Sequence, residues 1–227
     1  MDFGLVPVEN STEGAVNLTL DCFAQTLLSI CGETTLRIHQ NLISSASDIK
    51  NVTKVFAHPQ SLAQCRAWLD KHLPNAEQIA CHSNVDALLQ SQVFPESSAA
   101  LASEEAAQHY NIPILAKYIE DDTSNTTRFL VIGNKSIAPS GDDKTTFMVS
   151  ANDRPGLLNQ LIEPLSAHNV TMSRIESRPA KHTMWGYCFY IDIMGHKDDV
   201  KVQKALNEIH NRASLLKILG SYPRARY

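Results

Sequence analysis

The sequence predicts an α/β protein whose first region alternates strands and helices and whose second region is a ferredoxin-like βαββαβ unit. Apolar, strand-like segments alternate with helical segments as far as residue 132, which is typical of a sheet covered by helices. A polar stretch from Asn134 to Asp143 then interrupts the apolar pattern, and Pro139, Ser140 and Gly141 lie within it. We therefore predict domains at residues 1–135 and 144–227, joined by a linker at 136–143.

Composition and charge limit the class of protein. A length of 227 residues suits one large or two small domains, and 43% apolar with 19% charged residues favours a packed core over disorder. The chain has 20 Lys and Arg residues and 24 Asp and Glu residues, so it lacks the basic excess that is usual in proteins that bind nucleic acid. Nucleic acid is therefore not expected as a partner. No apolar run approaches the roughly 18 residues of a membrane span. No charged-then-apolar leader opens the chain, so neither a membrane partner nor secretion is expected.

The elements of the first region follow from local periodicity. Apolar runs bounded by turn residues indicate strands, and apolar residues at helical spacing indicate helices. Leu36 and Ile38 have the period-two spacing of a strand. The remaining predicted strands are residues 5–8, 55–57, 78–81, 99–102, 114–119 and 128–132, and the predicted helices are residues 14–28, 61–71, 84–90 and 104–110.

The second region is shorter and more regular. Strands are predicted at residues 145–149, 170–176, 187–194 and 215–219. The first helix places an apolar face towards the core, although Pro164 conflicts with a straight helix. The second helix has its apolar residues at i, i+3, i+4 and i+7. These two apolar faces are Leu157, Leu158, Leu161, Ile162 and Leu165, and then Val202, Ala205, Leu206 and Ile209.

Cysteine and glycine patterns exclude several kinds of chemistry. The five cysteines are odd in number and show no Cys-x-x-Cys spacing, so we expect no disulfide framework, no zinc site and a reducing cytoplasm. The nine glycines form neither a dinucleotide-binding fingerprint nor a P-loop, and no Gly-x-Ser-x-Gly elbow is present. Nicotinamide dehydrogenases, P-loop nucleotide hydrolases and α/β-hydrolases are therefore disfavoured, and no metal site is expected.

Four polar clusters lie at predicted strand ends. Three of them follow a strand at its carboxyl end, where an α/β sheet binds its ligands, and the fourth enters the last strand and could face the others. They are residues 9–14, 58–61, 82–84 and 125–129. Ser11 or Thr12 is expected to cap the following helix, whose free N–H groups would then face an anion. An ordinary capped helix explains the first cluster equally well, and His58 alone suits a structural role. With Arg128 as the obvious cation, the set suits a small polyanion.

Four motifs follow one another along nearly the whole chain. They are Val6-Pro7-Val8-Glu9-Asn10-Ser11-x-x-Gly14, His58-Pro59-Gln60-x-Leu62-x-Gln64-Cys65, Asn125-x-Thr127-Arg128-Phe129 and Glu176-Ser177-Arg178-Pro179 with a closing Leu219-Gly220-Ser221-Tyr222-Pro223. With these motifs in this order the chain resembles the prephenate dehydratase family, and its second region resembles an ACT domain, the amino-acid sensor of that family. Asn84 departs from the family, where threonine commonly occupies this position.

The resemblance implies a bilobal, periplasmic-binding-protein-like catalytic domain whose first lobe is incomplete in this chain. Family members begin further upstream, and in bifunctional relatives a chorismate mutase domain precedes the lobe. We therefore expect either a dehydratase or a catalytically impaired fragment that acts as a phenylalanine-binding regulatory protein. A longer protein shortened at an internal methionine is a third possibility.

The implied reaction is the decarboxylating dehydration of prephenate to phenylpyruvate in phenylalanine biosynthesis, and it requires no cofactor. Thr127 matches the family's catalytic threonine, whose hydroxyl would donate a hydrogen bond to the leaving oxygen. Arg128 would pair a carboxylate or orient the strand that carries Thr127, and Phe129 would pack on the ring. Glu9 would assist the proton or orient groups. The expected substrate-binding residues are Asn10, Ser11, Gln60, Ser83 and Asn125.

The ACT resemblance implies feedback by L-phenylalanine and a homodimer or homotetramer formed through the ACT domains. Free N–H groups at the start of a helix would hold the effector, and the next strand would complete the pocket. The residues concerned are Gly156, Leu157, Leu158, Glu176, Ser177 and Arg178. The alternative is that residues 176–178 only join strands together.

Overall fold

The computed structural model describes residues 3–151, 154–179 and 187–225, and their strands form three sheets. The run Asp153-Arg154-Pro155-Gly156 is typical of a helix start, and Asp153 lies outside the described residues. The elements are β1 Phe3–Asn10, β2 Gly14–Ala15, α1 Asn17–Gln25, β3 Ser29–Arg37, β4 Asn41–Ile43, β5 Lys54–Ala57, α2 Pro59–Gln64, α3 Arg66–His72, β6 Glu77–Ala80, α4 Asn84–Ser91, β7 Ser98–Ala102, α5 Glu104–Tyr110, β8 Ile114–Ala116, β9 Thr126–Gly133, β10 Asp143–Ala151, α6 Leu157–Ala167, β11 Met172–Pro179, β12 Tyr187–Met194, α7 Val200–Arg212 and β13 Leu215–Pro223.

The contacts divide the chain into two compact units. The first unit is Met1–Leu36 with Thr127–Tyr227, and the second unit is Arg37–Thr126. The first unit thus combines the beginning of the chain with β9 and the predicted ACT region. This division follows the contacts between residues and does not test where one domain ends along the chain. The domain boundaries expected from the sequence therefore stay a prediction.

The second unit contains a five-stranded mixed sheet in the order β6-β5-β7-β4-β8. β5 runs parallel to both β6 and β7, and β4 runs antiparallel to β7 and β8. Every residue of β7 is buried, as expected for a strand covered on both faces. The carboxyl ends of β5 and β6 therefore lie side by side, which places two of the four polar clusters together.

The first unit contains two four-stranded sheets, β2-β1-β9-β3 and β11-β12-β10-β13. β10 pairs antiparallel with β12 and β13, and β12 pairs antiparallel with β11, so the ferredoxin-like prediction is confirmed. One face of this second sheet packs on α6 and α7 through a core that includes Phe147, Ile191 and Leu206.

The opposite face of the sheet β11-β12-β10-β13, which we call the ACT sheet after the resemblance noted above, packs on β1, β9 and α1. Val8, Leu20 and Leu130 share a buried cluster with Met148 and Tyr222. Gly220 allows the closest approach, because a Cβ atom there would lie 2.2 Å from the carbonyl oxygen of Ile30. β1 and β9, which carry the motifs of the predicted catalytic site, therefore pack in one unit with the predicted ACT region.

Two predicted helices are wrong in extent. The helix predicted at residues 14–28 begins only at Asn17, because Gly14 and Ala15 pair with β1. The helix predicted at residues 61–71 is interrupted at Cys65. Asp121 accepts hydrogen bonds from the Ala67 and Trp68 amides at 2.9 and 3.1 Å, and so stabilises a new helix start at α3.

The expected conflict at Pro164 is resolved by a side chain from α7. Pro164 lies within α6 and has no N–H for the carbonyl of Gln160, four residues earlier. Nη1 of Arg212 donates to that carbonyl oxygen at 2.9 Å and also to Glu163 at 2.8 Å. The helix therefore continues past the proline with its freed acceptor satisfied.

We expect Arg212→Met to lower the free energy of unfolding by about 1–2 kcal/mol, since it removes this charged hydrogen-bond donor. Urea denaturation of a double-mutant cycle with Pro164→Ala is the measurement. Alanine restores an N–H for the Gln160 carbonyl, so the arginine substitution should cost less in that background. Equal losses in both backgrounds would contradict this account of the helix.

Candidate functional site

Asn10 and Thr127 lie opposite each other on neighbouring strands. β1 and β9 are antiparallel, and their register pairs Glu9 with Arg128 and Asn10 with Thr127 after a shift between Pro7 and Glu9. Because side chains alternate along a strand, Thr127 and Phe129 point to one face of the sheet and Arg128 to the other. The first and fourth polar clusters therefore come together at this point.

Hydrogen bonds fix the orientation of the Asn10 side chain. Its Oδ1 accepts from the backbone amides of Thr12 and Glu13, at 2.9 and 3.1 Å. This Asx turn identifies the oxygen end of the amide, so the nitrogen end faces Thr127. Nδ2 donates to Oγ of Thr127 at 2.9 Å. A hydrogen bond received at Oγ favours negative charge there, and it leaves the hydroxyl hydrogen to donate elsewhere.

The Asx turn also explains why the predicted cap is wrong. The turn reverses the chain directly after Asn10, so Ser11 and Thr12 lie in the link between β1 and β2. The residue that precedes α1 is Val16, whose apolar side chain cannot cap a helix. The first amides of α1 therefore lie at Asn17 and the residues after it, and not beside Ser11 or Thr12.

Arg128 is buried among acidic side chains of its own unit. Its guanidinium contacts Asp192 at 2.6 Å and Glu33 at 2.8 Å, and these two carboxylates are only 2% and 1% exposed. It also contacts Glu9 at 3.4 Å. Burial alone would lower the pKa of Arg128, but the charges of Asp192 and Glu33 outweigh it and raise the pKa above its usual value.

The prediction that Arg128 pairs a carboxylate of the substrate is therefore wrong, because its guanidinium is already paired with carboxylates of the protein itself. Its other expected role, orienting the strand that carries Thr127, fits this geometry. Glu9 is also paired within the protein, since its Oε2 lies 3.4 Å from Arg128 and 3.3 Å from Nε of Arg174. Phe129 is half-buried and pairs with Pro7.

The second group of predicted residues lies at the carboxyl ends of β5 and β6. His58 precedes α2, and its Nδ1 accepts from the Gln60 amide at 3.2 Å, which is the structural role left open for this histidine. Ser83 precedes α4, and its Oγ accepts from the Asp86 amide at 3.0 Å. The strand-to-helix positions of both clusters are as the sequence predicts.

Asn84 joins these two clusters. Its Oδ1 accepts from the His58 amide at 3.0 Å and from Oγ of Ser61 at 3.1 Å. The sequence marked Asn84 only as a departure from the family, so this contact adds a role to it. Asn125 is buried in the same unit, and its carbonyl oxygen accepts from the Ile38 amide at 2.9 Å.

The residues expected to bind the effector divide between two faces of the ACT sheet. The register places Ser177 opposite Phe189, on the face covered by the helices, and Arg178 opposite Cys188, on the other face. Arg178 donates to both carboxylate oxygens of Asp21, at 3.1 and 3.2 Å. The side chains of Ser177 and Arg178 therefore point to opposite faces, and the part of residues 176–178 in an effector pocket stays a prediction.

The remaining effector residues lie at the start of α6. Gly156 precedes this helix with a φ of 77°, a conformation that favours glycine, and it has no side chain to cap the first amides. Leu157 is buried in the core, whereas Leu158 is 39% exposed. The free amides at the beginning of α6 are therefore suited to an acceptor group.

Sequence reasoning missed the acidic and basic partners of this site. Asp192 is the one charged residue of β12, Glu33 lies in the middle of β3, and Arg174 of β11 contacts Glu9. A charge within a buried strand is the sequence signal that indicates an ion pair.

Among the described residues, no three His, Cys, Asp or Glu side chains are placed to hold a metal ion. No described helix is long and apolar enough to cross a membrane.

Comparison with known proteins agrees with these observations. The family described as Prephenate dehydratase matches residues 1–137, and the family described as ACT domain matches residues 145–211. A bifunctional chorismate mutase/prephenate dehydratase of Stutzerimonas stutzeri is 48% identical over 99% of this chain, and a prephenate dehydratase of Methanocaldococcus jannaschii is 35% identical over 97%.

Coverage of these relatives differs. The chain spans 62% of the length of the Stutzerimonas stutzeri protein and 80% of the Methanocaldococcus jannaschii protein. A crystal structure of prephenate dehydratase from Arthrobacter aurescens in complex with L-Phe superposes with a TM-score of 0.89 at 34% identity, over 99% of this chain and 76% of that one. With its paired catalytic-motif strands and its ferredoxin-like ACT sheet, the chain belongs to the prephenate dehydratase family.

Proposed function

We propose that this chain converts prephenate to phenylpyruvate, water and carbon dioxide, and so acts as a carbon–oxygen lyase of phenylalanine biosynthesis. The observation that carries the proposal is the hydrogen bond from Nδ2 of Asn10 to Oγ of Thr127. It leaves the threonine hydroxyl oriented as a donor, which is what departure of a ring hydroxyl requires. Membership of the prephenate dehydratase family supports the choice of substrate.

The chemistry balances without a redox partner. Prephenate loses its ring carboxylate as carbon dioxide, and the electron pair of the broken C–C bond completes the aromatic ring. The ring C–O bond breaks, and its oxygen leaves as water after gaining a proton. Thr127 donates a hydrogen bond to that oxygen as negative charge develops on it. Asn10 stabilises the charge that this donation leaves on Oγ.

A free alcohol is a weak acid, so Thr127 acts by hydrogen bonding and solvent supplies the proton in full. Glu9 balances Arg128 and Arg174 and orients β1 beside Asn10. We propose Asn10, Ser11, Gln60, Ser83 and Asn125 as substrate-binding residues and Phe129 as the ring contact. Support for Ser83 comes from its place at the N-terminus of α4, where N–H groups attract carboxylates.

The test is to mix the purified chain with prephenate at neutral pH and follow phenylpyruvate, with a blank for the spontaneous reaction. The lyase proposal expects enzyme-dependent phenylpyruvate in proportion to protein concentration. No phenylpyruvate above the blank, together with binding of L-phenylalanine in calorimetry, would replace it with the alternative of a regulatory phenylalanine-binding fragment.

We also propose feedback by L-phenylalanine at the start of α6. The ACT match and the L-Phe complex of the Arthrobacter aurescens relative support this. Gly156, Leu157 and Leu158 would supply amides and an apolar contact, and the main chain of residues 176–178 would complete the site from the edge strand β11. Titration calorimetry with L-phenylalanine, and D-phenylalanine as control, should give heat only for the L-isomer.

A homodimer or homotetramer through the ACT domains and a cytoplasmic location complete the proposal. β11 is an edge strand of the ACT sheet, and an edge can pair with a second copy. Light scattering after gel filtration would measure the mass, and a monomer at micromolar concentration would contradict the assembly. Five free thiols suit a reducing compartment.

A further inference from the structure

A closed ring of hydrogen bonds connects Arg128 to three residues of the ACT sheet. Nη1 of Arg128 donates to Oδ2 of Asp192 at 2.6 Å, and Nη2 donates to Oη of Tyr222 at 3.1 Å. Oγ of Thr146 lies 2.7 Å from Oδ1 of Asp192 and 2.7 Å from Oη of Tyr222. All four side chains are buried or nearly so.

Chemistry fixes the direction of each bond in the ring. The Asp192 carboxylate only accepts, so Thr146 must donate its single hydroxyl hydrogen to it. Oγ of Thr146 therefore accepts from Tyr222, and Oη of Tyr222 in turn accepts from Arg128. Burial raises the pKa of Tyr222 well above its ordinary value, which keeps this hydroxyl protonated. One arrangement of hydrogens satisfies the whole ring.

The ring acts on the strand that carries Thr127. Arg128 is the next residue of β9, and its side chain points to the ACT sheet while Thr127 points to the opposite face. Holding the guanidinium at both Nη atoms fixes the position of β9 at Thr127. The neighbouring strand is held similarly, since Arg174 of the ACT sheet contacts Glu9 beside Asn10 at 3.3 Å.

We propose that Thr146, Asp192 and Tyr222 are positioning residues for the reaction, which act through Arg128 to place the Thr127 hydroxyl against the leaving oxygen. This inference rests on the proposed function. On this proposal, three residues of the ACT sheet hold β9 in the position that the reaction needs, whether or not an effector is bound. Displacing a reacting group slightly is enough to lower turnover without weakening substrate binding.

Thr146→Val and Tyr222→Phe test the proposal, because each removes a hydroxyl of the ring with little change in side-chain volume. We expect kcat to fall roughly 10-fold to 100-fold in each, with KM within about twofold of the unmodified chain. Thr146→Ser keeps the hydroxyl and should restore turnover. Steady-state kinetics with prephenate gives both parameters.

Thr145→Val is the matched control. Thr145 is the adjacent buried threonine, and its hydroxyl bonds to Gly195 and Ser221 outside the ring, at 2.7 and 2.8 Å. It should lose stability in urea denaturation, as Thr146→Val does, while keeping its kcat. An equal fall in kcat for both valine variants would show a general effect of destabilisation and overturn the proposal.

The outcomes separate this inference from the proposed function. Absence of phenylpyruvate from the unmodified chain would remove the function itself. An active chain whose Thr146→Val and Tyr222→Phe variants keep full kcat, or change only in KM, would overturn the positioning role alone. If Thr146→Val fails to fold, Tyr222→Phe decides the question, because it retains the Asp192 and Arg128 ion pair.

Discussion

Thr127→Ala should lower kcat for phenylpyruvate formation by about 10²–10³-fold, the range that one hydrogen-bond donor to a developing negative charge contributes. The substitution removes the hydroxyl whose oxygen accepts from Asn10, and it leaves the strand pairing of β9 intact. Because Thr127 is only half-buried, the fold should tolerate the change. Turnover with saturating prephenate is the measurement, and circular dichroism verifies the fold.

Controls separate the hydroxyl from its neighbours. Thr127→Ser retains the donor and should keep most of the activity. Thr126→Ala alters the preceding threonine, whose hydroxyl donates to the Ser124 carbonyl oxygen, and should stay within about twofold of the unmodified chain. Unchanged turnover in Thr127→Ala would remove Thr127 from the mechanism, whatever the other variants do.

Arg128→Met should lower the free energy of unfolding by about 3–5 kcal/mol, the usual cost of removing one partner of a buried ion pair. Glu33 and Asp192 are almost fully buried and would lose the guanidinium that balances them. Lys144 contacts Glu33 at 2.9 Å and offsets only part of that loss. Urea denaturation is the measurement.

Arg224→Met is the control for this second prediction. Arg224 pairs with Asp142 at 3.1 Å, and both side chains are about half exposed, so water screens the pair. Its loss should cost at most about 1 kcal/mol. If Arg128→Met costs no more than Arg224→Met, the buried cluster does not stabilise the unit, and the positioning role inferred for it weakens as well.

Local periodicity determined the elements that pack by a regular face. The spacing of Val202, Ala205, Leu206 and Ile209 predicts the helix α7, and all four are buried. The βαββαβ order and the strand-to-helix positions of His58 and Ser83 follow from the same kind of signal. These features depend on residues within one or two turns of each other, and a single sequence contains that information.

Tertiary structure alone decided the partners of the charged residues. Arg128 meets Glu33, Asp192 and Tyr222 across separations of 95, 64 and 94 residues, and no local pattern joins them. Arg178 was predicted to face an effector and instead pairs with Asp21 of α1. A buried charge must find a partner, but which one it finds depends on the packing of two sheets, and that packing exists only in the folded chain.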